Sequence, residues 1–368
     1  MQHSRPIQRY TIAPMIRTIV PHSEMHIKNV AWEPLITLAR SPAASAKLFG
    51  PAGQANPLLI DEFSGYIRQA YDYFIGASHV PGTSGALLHY YCALQLAKAE
   101  LLLSNSASIL GVAIRHGLSH SVTNAADPAL DYLTVKDGVF PLLYQRRIGS
   151  PIPIGTRIPI KDLLAYIPEI GSEASATLSI SSTYLPLYHA LLFSDPEVWS
   201  GIVALGHNIN TSTISEFESL AATTYEEVQP PSEWKRIFGI SYRALTPNVR
   251  MFQAKRSYPD QTTIDKVIGE QTAPFGPSLD NCIDDHADAF FWPKCNGILM
   301  TPSIARYVLM YYLSSVVRYK PSILTPARFP EYAWVFESFI NSSALNIVTN
   351  SVDGITGQWH MYGVKFRW

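Results

Sequence analysis

At 368 residues the chain has enough material to bury a sizeable core in one large domain or two ordinary ones. Apolar residues make up 47% and charged residues only 15%, against a usual charged share of about 25%; with 20 Tyr and 15 Phe this excludes disorder and points to extensive buried surface, some of it at a partner interface. A net charge of −1 excludes the global basic field that drives non-specific nucleic-acid binding.

Three cysteines, Cys92, Cys282 and Cys295, are too few and odd in number for a disulfide framework, and fit a reducing compartment. The N-terminal stretch carries Arg5, Arg9 and Arg17 without a continuous apolar core, so no secretory leader is expected. No apolar run reaches about 18 uninterrupted residues, so no membrane span is expected either. The chain reads as cytoplasmic.

Residues 1–30 look extended, with β-type alternation near Tyr10-Thr11-Ile12-Ala13. Residues 32–48 read as helical, and Ser41-Pro42 restarts the helix, since Ser is a good N-cap and Pro is tolerated at N1. A second helix spans residues 60–75, ended by the turn Pro81-Gly82-Thr83-Ser84-Gly85. Residues 87–103 are apolar on almost every face and predict a helix at the centre of a bundle. Ser104-Asn105-Ser106 is expected to break it and cap a fourth helix over residues 107–116.

After Asp127-Pro128 the texture changes. Asp137-Gly138 is a turn signal, residues 152–160 alternate with Pro and Gly as strands and turns do, and residues 161–167 form a short helix stopped by Pro168. Between 173 and 275 come short β-leaning runs (residues 177–181 and 236–242) and possible helices at 185–193 and 213–227. From Pro302 the chain is helical again, over 304–319 and 331–342, and residues 359–368 alternate. The expected fold class is mainly α with a smaller β-containing middle region (α+β), a helical bundle built from the N- and C-terminal segments. The expected organisation is 1–127 helical, 128–300 mixed and 301–368 helical, in one composite domain.

Several blocks, in order over about residues 30–350, carry a resemblance. They are Trp32-Glu33-Pro34-Leu35, Tyr90-Tyr91 with Leu96-Ala97-Lys98-Ala99, and His116-Gly117-Leu118. Then come Gly138-Val139-Phe140, Lys161-Asp162-Leu163-Leu164, Ile167-Pro168-Glu169, and Leu313 to Tyr319 followed by Pro321. Together they resemble the YaaC-like family of bacterial proteins. The resemblance implies a soluble, mainly helical protein with no settled biochemical role.

The densest imidazole cluster is Arg115-His116-Gly117-Leu118-Ser119-His120. Its Arg-polar-x3-His pattern is similar to the ribonuclease motif of HEPN-fold proteins, in which Arg and His from helical subunits cleave RNA without metal. Such a pair has sensible chemistry, with His moving a proton and Arg stabilising phosphorane charge. Gly117 and the non-helical sequence after it favour another reading, a helix end with Arg115 and His116 complementing its negative pole and Gly117 at C′.

Cys282, Asp284, Asp285, His286, Asp288 and Cys295 hold enough donors for zinc. Without a Cys-x2-Cys knuckle they read as a solvated acidic turn with two ordinary thiols, so no metal and no cofactor are expected. Lys235, Arg236, Arg243, Arg250, Lys255 and Arg256, interleaved with Trp234, Phe238, Tyr242, Phe252 and Tyr258, could bind phosphates and stack bases; a surface with snorkelling cations is the favoured reading.

The leading functional reading is a binding protein with a polar pocket near His116 and Arg318, lined by Tyr90, Tyr91, Lys98 and Tyr319, taking RNA, a nucleotide or a protein. A metal-independent HEPN-like ribonuclease using Arg115 and His120 across a homodimer is the second. A structural subunit of a homo-oligomer is the third.

Overall fold

A computed structural model describes residues 7–9, 16–20, 24–80, 82–110, 114–120, 127–194, 197–206, 211–229, 248–257, 270–284, 287–357 and 359–362. The chain divides into two compact units. One joins Met15–Ile180 to Pro302–Trp368, and the other joins Met1–Pro14 to Ser181–Thr301.

The first unit is helical and is built by both ends of the chain. After β2 (Ile16–Val20) come α1 (Glu24–Arg40), α2 (Pro42–Phe49), α3 (Pro51–Ala55), α4 (Pro57–Ser78) and α5 (Gly85–Ile109). The restart at Ser41 is present: its hydroxyl accepts from Ala44 N–H at 3.2 Å, with Pro42 at N1. Helix α5 is the axis of the unit, packed by α4, α6 (Val139–Ile148), α10 (Pro302–Tyr319) and α11 (Pro330–Thr356). It buries residues all round, including Tyr90, Cys92, Leu96, Ala99 and Leu102. Ser104-Asn105-Ser106 does not break it. Leu101, Leu102 and Ile109 keep a buried stripe through the polar run, and packing overrides the weak preference of Ser and Asn for caps.

The expected fourth helix over 107–116 is corrected by the structure. Residues 116–120 are instead β3 (His116–His120), the edge of a three-stranded antiparallel sheet with β4 (Tyr132–Gly138) and β5 (Arg157–Pro159). Two glycines force this crossing. Gly117 has φ +82°, and a Cβ there would stand 2.6 Å from Phe140 N; Gly138 has φ +143°, and its Cβ would stand 2.3 Å from Arg115 O. Only residues without a side chain let β3 and the start of α6 approach so closely. The ladder slips between His116 and Leu118 to accommodate them. The turn signal Asp137-Gly138 is thus a strand-to-helix junction.

The change of texture at Pro128 is not a unit boundary. The sheet, α6, α7 (Ile160–Leu164) and α8 (Gly171–Leu178) all pack onto the long helices. Buried polar groups tie them there. Glu100 of α5 receives both Nε (3.2 Å) and Nη2 (2.6 Å) of Arg147, and Arg146 Nε lies 3.3 Å away. Glu169 receives Arg306 from α10 at 2.6 and 2.8 Å, together with Ser343 and Asn346 of α11. Those polar groups let α11 run through 330–356, well past the expected 331–342. The last strand, β14 (Trp359–Tyr362), pairs in parallel with β2.

The second unit is an antiparallel sheet in the order β10 (Leu279–Asp284), β11 (Ala287–Phe291), β6 (Leu185–Ser194), β7 (Glu197–Gly206), β9 (Asn248–Ala254) and β8 (Tyr225–Val228), with β1 (Ile7–Arg9) paired to β6. Residues 185–193, a possible helix from the sequence, are its central strand. Leu185 and Leu187 join one apolar cluster with Phe217 of α9 (Thr211–Ala221), while Tyr188, Ala190 and Leu192 join another. A strand buried on both faces has no period to distinguish it from a buried helix. A tight hairpin joins β12 (Lys294–Cys295) to β13 (Ile298–Leu299) through Asn296 and Gly297, both at positive φ, the arrangement favoured in two-residue hairpin loops. The expected strand at 236–242 lies outside the described residues.

Candidate functional site

Three elements of the helical unit meet around His116. Helix α5 contributes Tyr90, and α10 contributes Tyr307 and Tyr311 one turn apart, with Arg318 on the same stripe. Strand β3 contributes His116 itself. The Tyr90 hydroxyl lies 2.7 Å from His116 Nδ1. Around that bond the Tyr90 ring packs on Tyr311 at 5.2 Å and Tyr307 at 6.0 Å, and Tyr311 lies 6.1 Å from the imidazole. Tyr311 also pins the strand, donating from its hydroxyl to Leu118 O at 2.8 Å.

Electrostatics fix the protonation states. Burial, then the positive charges of Arg318 and Lys98, hold His116 below the usual imidazole range, so the ring is neutral at pH 7. Burial, reinforced by Tyr307, holds the Tyr90 phenol far above its ordinary value. The 2.7 Å contact is thus a hydrogen bond between a neutral phenol and a neutral imidazole, with the Tyr307 hydroxyl beside Tyr90 as well.

The cations are held by aromatic faces. Lys98 lies over the Tyr66 ring at 5.4 Å, and burial lowers its ammonium while Glu62 opposes the shift. Arg318 stacks on Tyr319 at 5.2 Å and spends Nε on Ser314 O. Both Arg318 and Tyr319 are exposed. Tyr91 stacks on Tyr73 of α4 and lies 5.8 Å from the Tyr90 ring. A cleft of about 710 Å³ runs along α4, lined by Leu58, Asp61, Glu62, Tyr66, Arg68 and others. It adjoins Lys98 through Tyr66 and Glu62, but His116 and Arg318 do not line it.

Arg115 and His120, the pair of the alternative ribonuclease reading, are not set on a helix. The Arg115 side chain is exposed, while the His120 side chain is 1% exposed and fully engaged. Its Nε2 lies 2.7 Å from Asp131 Oδ2 and its Nδ1 3.0 Å from Ser315 Oγ. The Tyr312 hydroxyl sits beside the same carboxylate without a hydrogen bond of good geometry. This Ser-His-Asp connectivity does not make a nucleophile site, because Ser315 is 3% exposed in the middle of α10 and no substrate carbonyl can reach it. It clamps β3 to α10.

Sequence reasoning missed Asp131, Ser315, Tyr307, Tyr311 and Tyr66. The i, i+4 spacing of Tyr307 and Tyr311, in register with Arg318, was the one available signal. Among the described residues no group of His, Cys, Asp and Glu could hold a metal ion. Of the Cys282–Cys295 cluster only the Cys295 side chain is described; those of Cys282, Asp284, Asp285, His286 and Asp288 lie outside that set. In the basic stretch, Lys235, Arg236 and Arg243 also lie outside it. The described Arg250 is occupied by Glu227 at 2.7 and 2.5 Å and by Glu218, and Lys255 by Ala222 O at 2.6 Å. No helix among the described residues is long and apolar enough to cross a membrane.

No curated protein and no solved structure matches the chain. The family described as YaaC-like Protein matches residues 59–351, which runs from within α4 to within α11 and includes every residue of the His116 cluster. The chain belongs to the YaaC-like family.

Proposed function

We propose that this protein is a binding protein that takes a phosphate-bearing ligand, in the simplest case a nucleotide, at His116, Lys98 and Arg318. The observation that carries the reading is the sign of the site. The charges acting on the half-buried His116 are both positive. Lys98 adds an ammonium and Arg318 an exposed guanidinium, of which Nε donates to Ser314 O. A site of donors suits an acceptor-only oxyanion, and the exposed Tyr319 ring beside it suits a base.

Calorimetry with AMP tests the reading. Each of Arg318→Ala and Lys98→Ala removes a charge-assisted contact of about 1.5–3 kcal/mol, so each weakens binding by about 10- to 100-fold. Absence of AMP binding at millimolar concentration refutes the reading. Binding of a single-stranded RNA but not AMP shifts it to a polymer ligand.

A further inference from the structure

We propose a second site, of opposite sign to the first: the cleft along α4 binds a linear aliphatic polyamine, whose ammonium groups meet Asp61 and Asp72 and whose middle lies over Gly65 and beside Tyr66.

The cleft follows one stripe of α4. Residues 58, 61, 62, 65, 66, 69 and 72 line it at steps of three and four, so they share a helix face, and the volume of about 710 Å³ suits a small molecule. Asp61 and Asp72 are exposed, and among the described residues neither has a hydrogen bond or ion pair. They stand about 16 Å apart along the axis. One ammonium can neutralise only one of them, whereas a chain with an ammonium at each end spans the pair. Of the described lining Arg68 alone is cationic, and its Nη2 is tied to Ala39 O at 3.2 Å.

The wall of the cleft already holds an alkylammonium. Lys98 Nζ lies 5.4 Å from the centre of the Tyr66 ring, with the Glu62 carboxylate acting on it as well. A π face and a carboxylate are thus arranged for ammonium, and both residues line the cleft. Behind them is an acceptor without a donor. Helix α5 meets α4 at Leu88 with Gly76, Tyr91 with Tyr73 and Lys98 with Tyr66, and this antiparallel register sets Gln95 against α4 at the level of Gln69. Gln95 is 7% exposed and its Oε1 has no hydrogen-bond partner, which costs stability until a donor arrives. Gln69 is exposed, so its side chain can turn aside and open that oxygen to the cleft. An ammonium has three donors and no acceptor, which matches carboxylates, a π face and an unpaired amide oxygen.

Gly65 lies between the two carboxylates. A Cβ there would meet nothing within 4 Å, so no contact in the fold calls for glycine at a helix position where alanine is better. It gives the cleft a low floor for an aliphatic chain.

The test is calorimetry of the full chain with spermine, compared with putrescine, trilysine and magnesium. Spermine is expected to bind, and putrescine, too short to span the pair, at least about tenfold more weakly; Asp61→Asn and Asp72→Asn each weaken spermine by about tenfold. Gly65→Leu and Gln95→Leu are expected to raise Tm, the first through helix propensity and the second by removing an unpaired buried acceptor, yet both weaken spermine. Absence of spermine binding at millimolar concentration overturns the site. So does binding that survives both Asn variants, or that an equal concentration of magnesium abolishes, since either marks diffuse attraction to an acidic surface. Tighter binding of trilysine than of spermine overturns the free polyamine in favour of a lysine-bearing chain.

Discussion

Gly354→Ala is the substitution whose sign the structure determines most sharply. A Cβ at position 354 would stand 2.9 Å from Cδ, Oε1 and Oε2 of Glu100. A carboxylate on a free side chain would swing away, but this one is 1% exposed and gripped by Arg147 and Arg146. Overpacking of that kind costs about 1–3 kcal/mol, against a gain of up to about 1 kcal/mol from Gly to Ala in a helix. The net loss reaches about 2 kcal/mol. In a Glu100→Ala background the obstacle is gone and only the helix gain remains, so the same substitution stabilises by about 1 kcal/mol. Glu100→Ala is itself destabilising by roughly 2–3 kcal/mol, below the full range for breaking a buried pair, because Arg146 and Arg147 are 25% and 14% exposed and regain water. For a unit of roughly 230 residues, each kcal/mol moves Tm by about 2–4 °C. Thermal unfolding by circular dichroism should show Tm falling with Gly354→Ala in wild type and rising by about 2–4 °C with it in Glu100→Ala. An equal effect in both backgrounds refutes the reasoning.

Other outcomes follow from single groups. Burial pushes the Glu169 carboxyl up, but Arg306 and the hydrogen bonds from Arg306 and Ser343 outweigh it and hold it at about 2. Its contribution, about 3 kcal/mol, is therefore present above about pH 4.5 and lost as pH falls through about 2; Glu169→Gln should flatten the acid-unfolding curve in that window. Gly117→Ala forces a Cβ to 2.6 Å from backbone at φ +82°, which adds left-handed strain to a hard overlap; loss of soluble folded protein on expression is expected, and a normally folded variant would contradict the crossing. Burial pushes the Cys92 thiol up, so a maleimide should label it only after unfolding, as mass spectrometry of the peptide can show.

How far the sequence could be read depended on whether the determining contact was local. The central helix was legible because an all-apolar run of that length has no other place to go, and the Ser41-Pro42 restart because a cap is made within four residues. The partners of Glu100 were not: they come from positions 146 and 147, brought by a sheet that local patterns did not reveal. Residues 114–116 were misread as the end of a helix for a related reason. A glycine after Arg-His is a common helix end, and nothing local announces that a second glycine, Gly138, will cross over it. The site divides in the same way. Tyr90, Lys98, His116 and Arg318 were singled out from the blocks that carry the family resemblance, whereas Asp131 and Ser315 show no role until the fold places them 2.7 and 3.0 Å from one imidazole.

The two histidines of β3 separate scaffold from site. They lie four residues apart and approach α10 one turn apart, at Tyr311 and Ser315. His120 has both nitrogens spent on buried partners; His116 is half-buried and engages Tyr90 through Nδ1. Replacing His120 with Asn strips Asp131 of its imidazole partner, leaving among the described residues Tyr132 N–H at 2.9 Å and the nearby Tyr312 hydroxyl, and should cost about 2–4 kcal/mol. Replacing His116 with Asn gives up one hydrogen bond at a half-buried position, about 1 kcal/mol. Affinity for sulfate should run the other way, weakened at least tenfold by the His116 change and little by the His120 change. If the two substitutions cost equal stability and neither alters sulfate affinity, both imidazoles are structural and the anion site must be given up.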